Sequence, residues 1–467
     1  MDATVLPGNT NVANRLDRLP ISSIHYIVLF ALAFAYFFEL GDISTFSFAA
    51  PALIKYAHMT IATISFITSA TFFGMFIGAV SGGWVADKLG RKPALIAAIG
   101  CYTLFSLLNA LAWDPVTLGV TRFLTGIGLA SMTIIANTYI SEFFPAASRG
   151  RFQSWTMVFG LIGIPATAWF ARFVVPLSFW SWRLVFVWGA LGAIALVFVI
   201  RMYESPRWYE THGMSDQAEE TMRQIETRVS AEKGALPPPA KPVPQPVIHT
   251  VPYGELLRGK YLRRTVILLV AWIFQTLGFY GFQAWVPTLL AQHGFSIASS
   301  LTFTSIIQIG APLGALLAVL IVERIDRKWS ITMVAVLIAI CGLLYGLTFQ
   351  PVLIIVFGFL VAFFLQTFAP LLYAYTPELY PTEARASGTG LTYGVGRLAN
   401  VIGPIIVGAL FVSSGYLSVF VYIAACWILV ALAVGIFGPL ANRRNLEMLS
   451  ESAMPKAEPT LSRSSGS

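Results

Sequence analysis

Charged side chains are scarce in this sequence. Asp, Glu, Lys and Arg make up 11% of its 467 residues, whereas soluble domains carry about 25%. Only three cysteines and five histidines occur, and they are scattered, so neither a disulfide framework nor a cluster of metal ligands is predicted. The sequence contains no His-Glu-x-x-His motif. We therefore expect neither an enzyme nor a protein with a bound cofactor or metal.

The sequence is rich in long apolar runs. Hydrophobic residues make up 57% of the chain, in runs of about 20 residues that could each cross a bilayer about 30 Å thick. The sequence predicts an all-α membrane protein with twelve transmembrane helices. They are expected at 24–50, 61–86, 93–113, 116–140, 152–175, 183–203, 264–290, 298–322, 329–349, 351–376, 386–412 and 415–440.

The positive charges lie mostly on one side of these spans. If the N-terminus is inside, the inner loops hold 25 of the 30 Lys and Arg, and the outer loops hold only Lys55, Arg172 and Arg183. This bias predicts that both termini face the cytoplasm. The net charge of +8 then reflects topology, so we expect a bacterial inner-membrane protein and no nucleic-acid partner.

The two halves of the chain repeat. "YISEFFPAASRG" at 139–150 returns as "YTPELYPTEARA" at 375–386, and "ADKLGRK" at 86–92 aligns with "VERIDRK" at 322–328, each at an offset of 236 residues. One offset for two separate loops indicates a duplication. We expect an N-terminal six-helix bundle in 1–203, a cytoplasmic connector in 204–263, a C-terminal bundle in 264–440 and a cytoplasmic tail in 441–467.

The connector has two parts. Ser215 is predicted to cap a helix with Met222, Ile225 and Val229 on one face. A proline-rich linker, "GALPPPAKPVPQPV", follows.

These motifs resemble the major facilitator superfamily of transporters. "GGWVADKLGRK" is similar to the signature between its second and third spans, and "YESPRW" to the end of span six in its sugar-porter-like branch. In span seven, however, "FQTLGFY" keeps only Gln275 and Gly278 of the sugar-porter run, with Tyr280 at its asparagine position. "ELGD" at 39–42 instead resembles the span-one motif of the aromatic-acid:proton symporters, with Glu39 in place of its first aspartate. The resemblance implies two bundles that rock about a central substrate site.

Four ionisable residues inside the spans are the main candidates for function. Glu39 and Asp42 share a helix face in span one, where a low dielectric and a neighbouring carboxylate both favour the protonated form. We expect them to couple transport to protons, with Asp42 ranked ahead of Glu39. Arg397 is expected to bind a substrate carboxylate or to pair with one of these acids. For Arg122, pairing with Asp42 or Glu39 is the first interpretation and substrate contact the second.

Other polar and aromatic side chains are expected to line the substrate cavity. For each of them alone, packing is the first interpretation and ligand contact the second, and Gln275 and Gln283 are the better ligand candidates. The set is Gln275, Gln283, Tyr280, Trp285, Asn137, Trp169, Gln366 and Tyr373. A second set at the cytoplasmic mouth is expected to form ion pairs across the bundles that hold one access state closed. Its members are Asp87, Arg91, Glu142, Arg149, Glu323, Arg327, Glu378 and Arg385.

The sequence thus predicts proton-coupled symport of a small organic anion, an aromatic or other carboxylate, by alternating access. A sugar or polyol transporter and an uncoupled exporter or exchanger remain open alternatives, and a transporter-like sensor is a more distant one. The expected partners are a small-molecule substrate, protons and the lipid bilayer, and the expected state is a monomer.

Overall fold

The computed structural model describes residues 12–239, 251–321 and 324–440. Eleven helices in these ranges are long and apolar enough to cross a membrane, and the shorter apolar stretch Arg183–Val199 makes a twelfth. The twelve-span architecture is confirmed. The predicted tail, half of the proline-rich linker and Glu323 lie outside the described residues.

Apart from the stretch between Lys233 and Tyr253, the helices follow one another with short connections. The N-terminal half contains α1 (Val12–Asp17), α2 (Ser23–Tyr56), α3 (Ile61–Leu89), α4 (Arg91–Leu111), α5 (Pro115–Phe143), α6 (Ala146–Val174), α7 (Arg183–Ala190) and α8 (Ile194–Val199). The connector contains α9 (Pro206–Thr211), α10 (Ser215–Lys233) and α11 (Tyr253–Leu256). The C-terminal half contains α12 (Gly259–Gln283), α13 (Val286–Gln292), α14 (Ile297–Gln308), α15 (Gly310–Ile321), α16 (Arg327–Leu347), α17 (Pro351–Glu378), α18 (Thr382–Ser414) and α19 (Tyr416–Leu432).

Some local expectations were wrong. The fifth span begins at Ala146 rather than 152, and the sixth is divided by a 3-10 turn at Leu191–Ala193. Ser215 is the first residue of α10 rather than its cap, a position that Met214 takes. The predicted apolar face of α10 is correct, because Met222, Ile225 and Val229 are all fully buried.

The duplication is visible in individual contacts. Tyr139 donates a hydrogen bond to the carbonyl of Tyr203 at 2.6 Å, and Tyr375, 236 residues later, donates to the carbonyl of Pro439 at 2.9 Å. Ser131 donates to Gly78 at 3.0 Å, and its counterpart Thr367 donates to Gly314 at 2.9 Å. The two bundles therefore share their internal packing as well as their sequence pattern. We call the end that carries the connector the connector face and the opposite end the far face.

A close helix crossing holds α2 in place. At Gly41, between Glu39 and Asp42, an added Cβ would lie 2.5 Å from Thr167 Oγ1 and 3.2 Å from the Gly163 carbonyl oxygen, both on α6. At Gly163 a Cβ would collide with the carbonyl oxygen of Phe37. Since only glycine fits such backbone approaches, the two acids are carried on a helix with a fixed position.

The connector helix α10 is fastened to the start of the chain by an arrangement we call the N-terminal clasp, α1 against α10. Leu16 of α1 belongs to the same apolar cluster as Met222 and Ile225. Arg15 and Arg18 bind the Glu226 carboxylate at 2.7 and 2.6 Å, and Arg15 also pairs with Glu219. The clasp therefore joins α10 to the N-terminal half.

Candidate functional site

A buried ion pair joins α2 to α5. Asp42 Oδ1 lies 3.3 Å from Arg122 Nη1, and neither side chain is more than 1% exposed. Thr45 donates to the same Asp42 oxygen at 2.8 Å, and Thr71 of α3 accepts from Arg122 Nε at 3.3 Å. The guanidinium also lies over the rings of Phe46 and Phe186. The structure thus gives Asp42 a cation in direct contact, within one bundle.

Glu39, one turn before Asp42, has a different environment. It is 2% exposed, and Oε1 accepts a hydrogen bond from Thr133 of α5 at 2.8 Å. Its Oε2 is buried without a hydrogen-bond partner among the described residues. No cation is in contact with Glu39 in the part of the chain that the structure describes, in contrast to Asp42. Glu39 is therefore a buried carboxyl without an ion-pair partner among those residues.

The structure contains two neighbouring cavities, each with a volume of about 90 Å³. Residues of both bundles line the first, and residues of the C-terminal bundle line the second. Phe279 and Tyr280 line both of them, so the cavities meet at these two rings. A buried water needs about 10–15 Å³ of such volume, so each cavity could hold roughly six waters or a small ring compound.

The cavity nearer the far face is lined by Arg122 together with polar and apolar side chains. Two residues predicted from the sequence, Gln283 and Gln366, line it, and so do Ser44 and Ser47. Phe72 of α3 contacts Tyr280 edge-on, with their ring centroids 4.7 Å apart. This cavity is therefore built from both bundles.

The cavity nearer the connector face holds Arg397 among aromatic rings. Arg397 Nε donates to Tyr393 Oη at 2.8 Å, and the guanidinium carbon lies 5.1 Å from the Tyr393 ring centroid. The other lining residues include Trp272, Gln275, Tyr373 and Asn400. Half of the Tyr373 side chain is exposed although α17 is a transmembrane helix. A cation surrounded by aromatic faces suits a planar anion.

Three residues predicted for the cavity lie elsewhere. Trp285 is fully buried in the hydrophobic core. Trp169 stacks on Phe173 with a centroid distance of 5.9 Å. Asn137 accepts hydrogen bonds from Tyr36 at 2.9 Å and Gln153 at 3.3 Å, and it lines neither of the two cavities. These residues were predicted from their polar or aromatic character inside the spans, which does not distinguish a cavity wall from the surrounding packing.

The charged set at the connector face forms ion pairs, but within each bundle. Arg91 lies 2.6 Å from Asp87 and 2.7 Å from Glu142, and the repeat-related Arg327 pairs with Glu378. Arg149 and Arg385 donate to nearby groups of their own bundles, the Phe144 carbonyl and Thr382. In this conformation the described members pair within their own bundles, and pairs across the bundles in another access state stay a prediction. The spacing that placed these charges at one end did not determine which helices they join.

The hydrogen bonds that cross between the bundles lie at the far face in the described part of the chain. Ser47 of α2 donates to the Ala284 carbonyl at 2.7 Å, and Arg172 of α6 donates to Thr302 of α14. At Gly408 of α18 an added Cβ would collide with Ser65 of α3. These contacts close the far face, so in this conformation a solute would reach the cavities from the connector face.

Sequence reasoning included the pairing of Arg122 with Asp42 but missed the neutral partners of the other two charged groups, Tyr393 beside Arg397 and Thr133 beside Glu39. Tyr393 lies four residues before Arg397, a spacing that places the two on one helix face, and this signal was available. Thr133, which donates to Glu39, lies on another helix, and no local pattern could have identified it.

Two six-helix bundles, a buried ion pair and a cavity between the halves fit a secondary transporter of the major facilitator superfamily. The chain belongs to its sugar (and other) transporter family, whose model matches residues 28–452. It is a multi-pass inner-membrane protein and not an enzyme.

Several known proteins are similar over nearly the whole chain. The putative metabolite transport protein YyaJ of Bacillus subtilis is 48% identical over 94% of this chain and 97% of its own length. The niacin transporter NiaP of Acinetobacter baylyi is 30% identical, over 94% and 99%. The gallate transporter of Pseudomonas putida is 29% identical, over 85% and 88%. An inward-open structure of the Escherichia coli xylose transporter XylE matches with a TM-score of 0.73 at 18% identity, over 92% and 99%, and confirms the fold.

Proposed function

We propose that this protein is a proton-coupled symporter of single-ring aromatic carboxylates, with both termini in the cytoplasm. The observation that carries the proposal is Arg397, a cation in a cavity lined by Trp272, Phe279, Tyr280, Tyr373 and Tyr393. A guanidinium can bind a carboxylate with two parallel hydrogen bonds, and the surrounding rings can stack on the substrate ring.

The relatives support this substrate class. Niacin and gallate, the compounds named for two of them, are each a single aromatic ring that carries a carboxyl group. Aromatic carboxylates are therefore the first substrates to test. For the proton, the candidates are the two carboxyls of α2, Asp42 and Glu39, because both are buried inside a membrane span. Asp42 also lies 3.3 Å from Arg122, which lines the cavity shared by the two bundles.

A ligand-stabilisation screen tests the substrate class. Nicotinate, gallate and 4-hydroxybenzoate should stabilise the purified protein against heat, while xylose, glucose and nicotinamide should not. A ligand at one hundred times its Kd stabilises the folded state by about 2.7 kcal/mol. Stabilisation by sugars but not by carboxylates would contradict the proposal.

The role of Arg397 can be tested separately with Arg397→Lys. Lysine keeps the charge but lacks the planar fork, and hydrogen bonds to charged groups contribute about 1.5–3 kcal/mol. We expect the affinity for nicotinate to fall by roughly 10- to 100-fold. Arg223→Lys, on the exposed side of the connector helix α10, is the matched control and should bind nicotinate like the wild type. Unchanged affinity in Arg397→Lys would exclude Arg397 as the carboxylate ligand.

Transport itself is measured in proteoliposomes. An inward proton gradient should drive accumulation of labelled nicotinate above equilibrium, and a proton-conducting ionophore should abolish it. Uptake that equilibrates without accumulation, whatever the gradient, would indicate an uncoupled carrier.

A further inference from the structure

An open groove lies at the connector face, away from the two central cavities. Its volume is about 730 Å³, and its walls are the start of α4, the residues after α8 and the connector helices α9 and α10. None of its lining residues lines either central cavity. A ligand in this groove would therefore be separate from the transported substrate.

Two cations line the groove. Lys92 is the second residue of α4, and Arg201 follows the end of α8, so both lie where a span meets the connector face. Neither side chain has an ion pair or a hydrogen bond to another residue that the structure describes. The neighbouring Arg91, in contrast, is paired with Asp87 and Glu142. Two cations without partners in one concave site favour the binding of an anion.

The groove also contains one acid, Glu204, whose carboxylate is already bound. It accepts hydrogen bonds from the backbone N–H groups of Arg91 at 2.9 Å, Lys92 at 3.0 Å and Ser205 at 2.7 Å. The carboxylate thus occupies the N-terminus of α4, where an external anion could otherwise bind. Two positive charges and one negative charge leave the lining with a net charge of +1, so the side chains of Lys92 and Arg201 are the groups left for a ligand.

The rest of the groove is largely apolar and faces lipid. Pro93 and Ala97 of α4 are exposed one turn apart, and Ile200 is 58% exposed. The same faces continue toward the far face with the exposed side chains of Leu104 on α4 and Val197 on α8. Because both helices belong to apolar spans, these faces lie against acyl chains. The groove therefore leads from a positively charged end into the lipid-facing surface.

We propose that this groove binds an anionic phospholipid from the leaflet at the connector face, with its phosphate at Lys92 and Arg201 and its acyl chains along α4 and α8. Basic pockets between spans on the cytoplasmic side of membrane proteins bind anionic headgroups. Tyr209 and Thr221 line the groove on the connector side, and their hydroxyls can donate to phosphate oxygens. A soluble phosphate would use the polar groups and leave the apolar walls without a partner.

The test measures the heat stability of the purified full chain in a neutral detergent with added lipid. Phosphatidylglycerol should raise the Tm of the wild type, whereas phosphatidylcholine, which has no net charge, and inorganic phosphate should not. The double variant Lys92→Gln/Arg201→Gln should need roughly 25-fold more phosphatidylglycerol for the same shift, since each basic side chain near an anionic headgroup contributes about fivefold in affinity.

The matched control is Lys88→Gln/Arg151→Gln. Both of these residues are exposed at the connector face and lie outside the groove, so the control removes the same amount of charge from the same side of the protein. Its Tm should respond to phosphatidylglycerol like that of the wild type. An equal loss of response in the two double variants would show a general attraction to a basic surface and would overturn the proposal.

Ala97→Phe tests the apolar wall without a change of charge. The larger side chain would occupy part of the groove and should weaken the response to phosphatidylglycerol. Leu104→Phe is the control, because Leu104 lies on the same exposed face of α4 but outside the groove, and it should respond like the wild type. This comparison also remains informative if Lys92→Gln/Arg201→Gln does not fold.

Three further results would overturn the proposal. The first is a wild type whose Tm does not respond to phosphatidylglycerol, or responds equally to phosphatidylcholine. The second is an unchanged response in Ala97→Phe, which would contradict the path of the acyl chains. The third is stabilisation by inorganic phosphate that Lys92→Gln/Arg201→Gln abolishes, which would make the groove a site for soluble anions. No transported substrate is present in these measurements, so their outcome does not depend on the proposed function.

Discussion

The ion pair between Asp42 and Arg122 gives a quantitative prediction for Asp42→Asn. At the 3.3 Å separation of their charged atoms, Coulomb's law with an effective dielectric constant of about 20 gives an attraction of about 5 kcal/mol. Experience with other buried pairs is similar, because removal of one partner costs about 3–5 kcal/mol and leaves an uncompensated charge. The asparagine can still accept the Thr45 hydrogen bond, so the loss comes mainly from the charge.

The change can be converted to a shift in melting temperature. Unfolding entropy averages about 2.1 cal/mol/K per residue, so a chain of 467 residues has about 1 kcal/mol/K in total. A loss of 3–5 kcal/mol therefore lowers the apparent Tm by about 3–5 °C. The matched Glu39→Gln should change the Tm much less, because no cation of the described ranges contacts Glu39 and an amide oxygen can still accept from Thr133.

A double-mutant cycle completes the measurement. Arg122→Gln alone should also destabilise, since it leaves the Asp42 carboxylate buried without its cation. The double variant Asp42→Asn/Arg122→Gln should recover most of the loss, giving a coupling energy of at least about 2 kcal/mol. Additive losses in the double variant, or a Tm unchanged by Asp42→Asn, would refute the reasoning that the pair is an electrostatic contact in a low-dielectric interior.

Three further predictions concern the surroundings of the site. Arg15→Ala should open the N-terminal clasp and speed protease cleavage within the connector, whereas Arg223→Ala, which removes only an exposed pair, should not. Burial raises the pKa of Glu226, but hydrogen bonds from the clasp arginines lower that pKa overall. The clasp should therefore be stable above about pH 4.5 and weaken below it. A cleavage rate that does not change between pH 7 and pH 4 would contradict this prediction. Glu142→Gln removes the ion pair of Glu142 with Arg91 at the connector face. The change should alter the accessibility of cysteines introduced on the two faces of the protein, while nicotinate binding survives. Identical accessibility in the variant and the wild type would exclude a gate role. Gly41→Ala should reduce the yield of folded protein, because its Cβ would lie 2.5 Å from a hydroxyl oxygen of α6, and normal yield and Tm would show that the helices can separate there.

Much of the fold follows from the sequence. Apolar runs of membrane length predicted twelve spans, and the structure has them. The 236-residue repeat predicted two equivalent bundles, and the paired contacts of Tyr139 and Tyr375 show the same geometry in both. These features are determined locally, since a polypeptide in lipid must satisfy its backbone hydrogen bonds within each helix.

The types of functional residue could also be recognised in the sequence. Ionisable side chains inside apolar spans are rare enough to identify Glu39, Asp42, Arg122 and Arg397 without a structure. Their partners could not be identified with the same certainty. The ion pair of Arg122 with Asp42 was one of two pairings that the sequence allowed.

Only the tertiary structure decided how these charges are arranged. Asp42 and Glu39 are three residues apart and were both proton candidates, with Asp42 ranked first, yet Asp42 contacts an arginine of its own bundle whereas Glu39 contacts no cation among the described residues. The charges at the connector face pair within bundles, and Trp285 and Trp169 pack away from the cavities. The physical reason is that hydropathy fixes where each helix begins and ends. The rotation of a helix about its axis, and the choice of helices it packs against, depend instead on close contacts such as those at Gly41 and Gly163. These contacts join residues more than one hundred positions apart in the sequence.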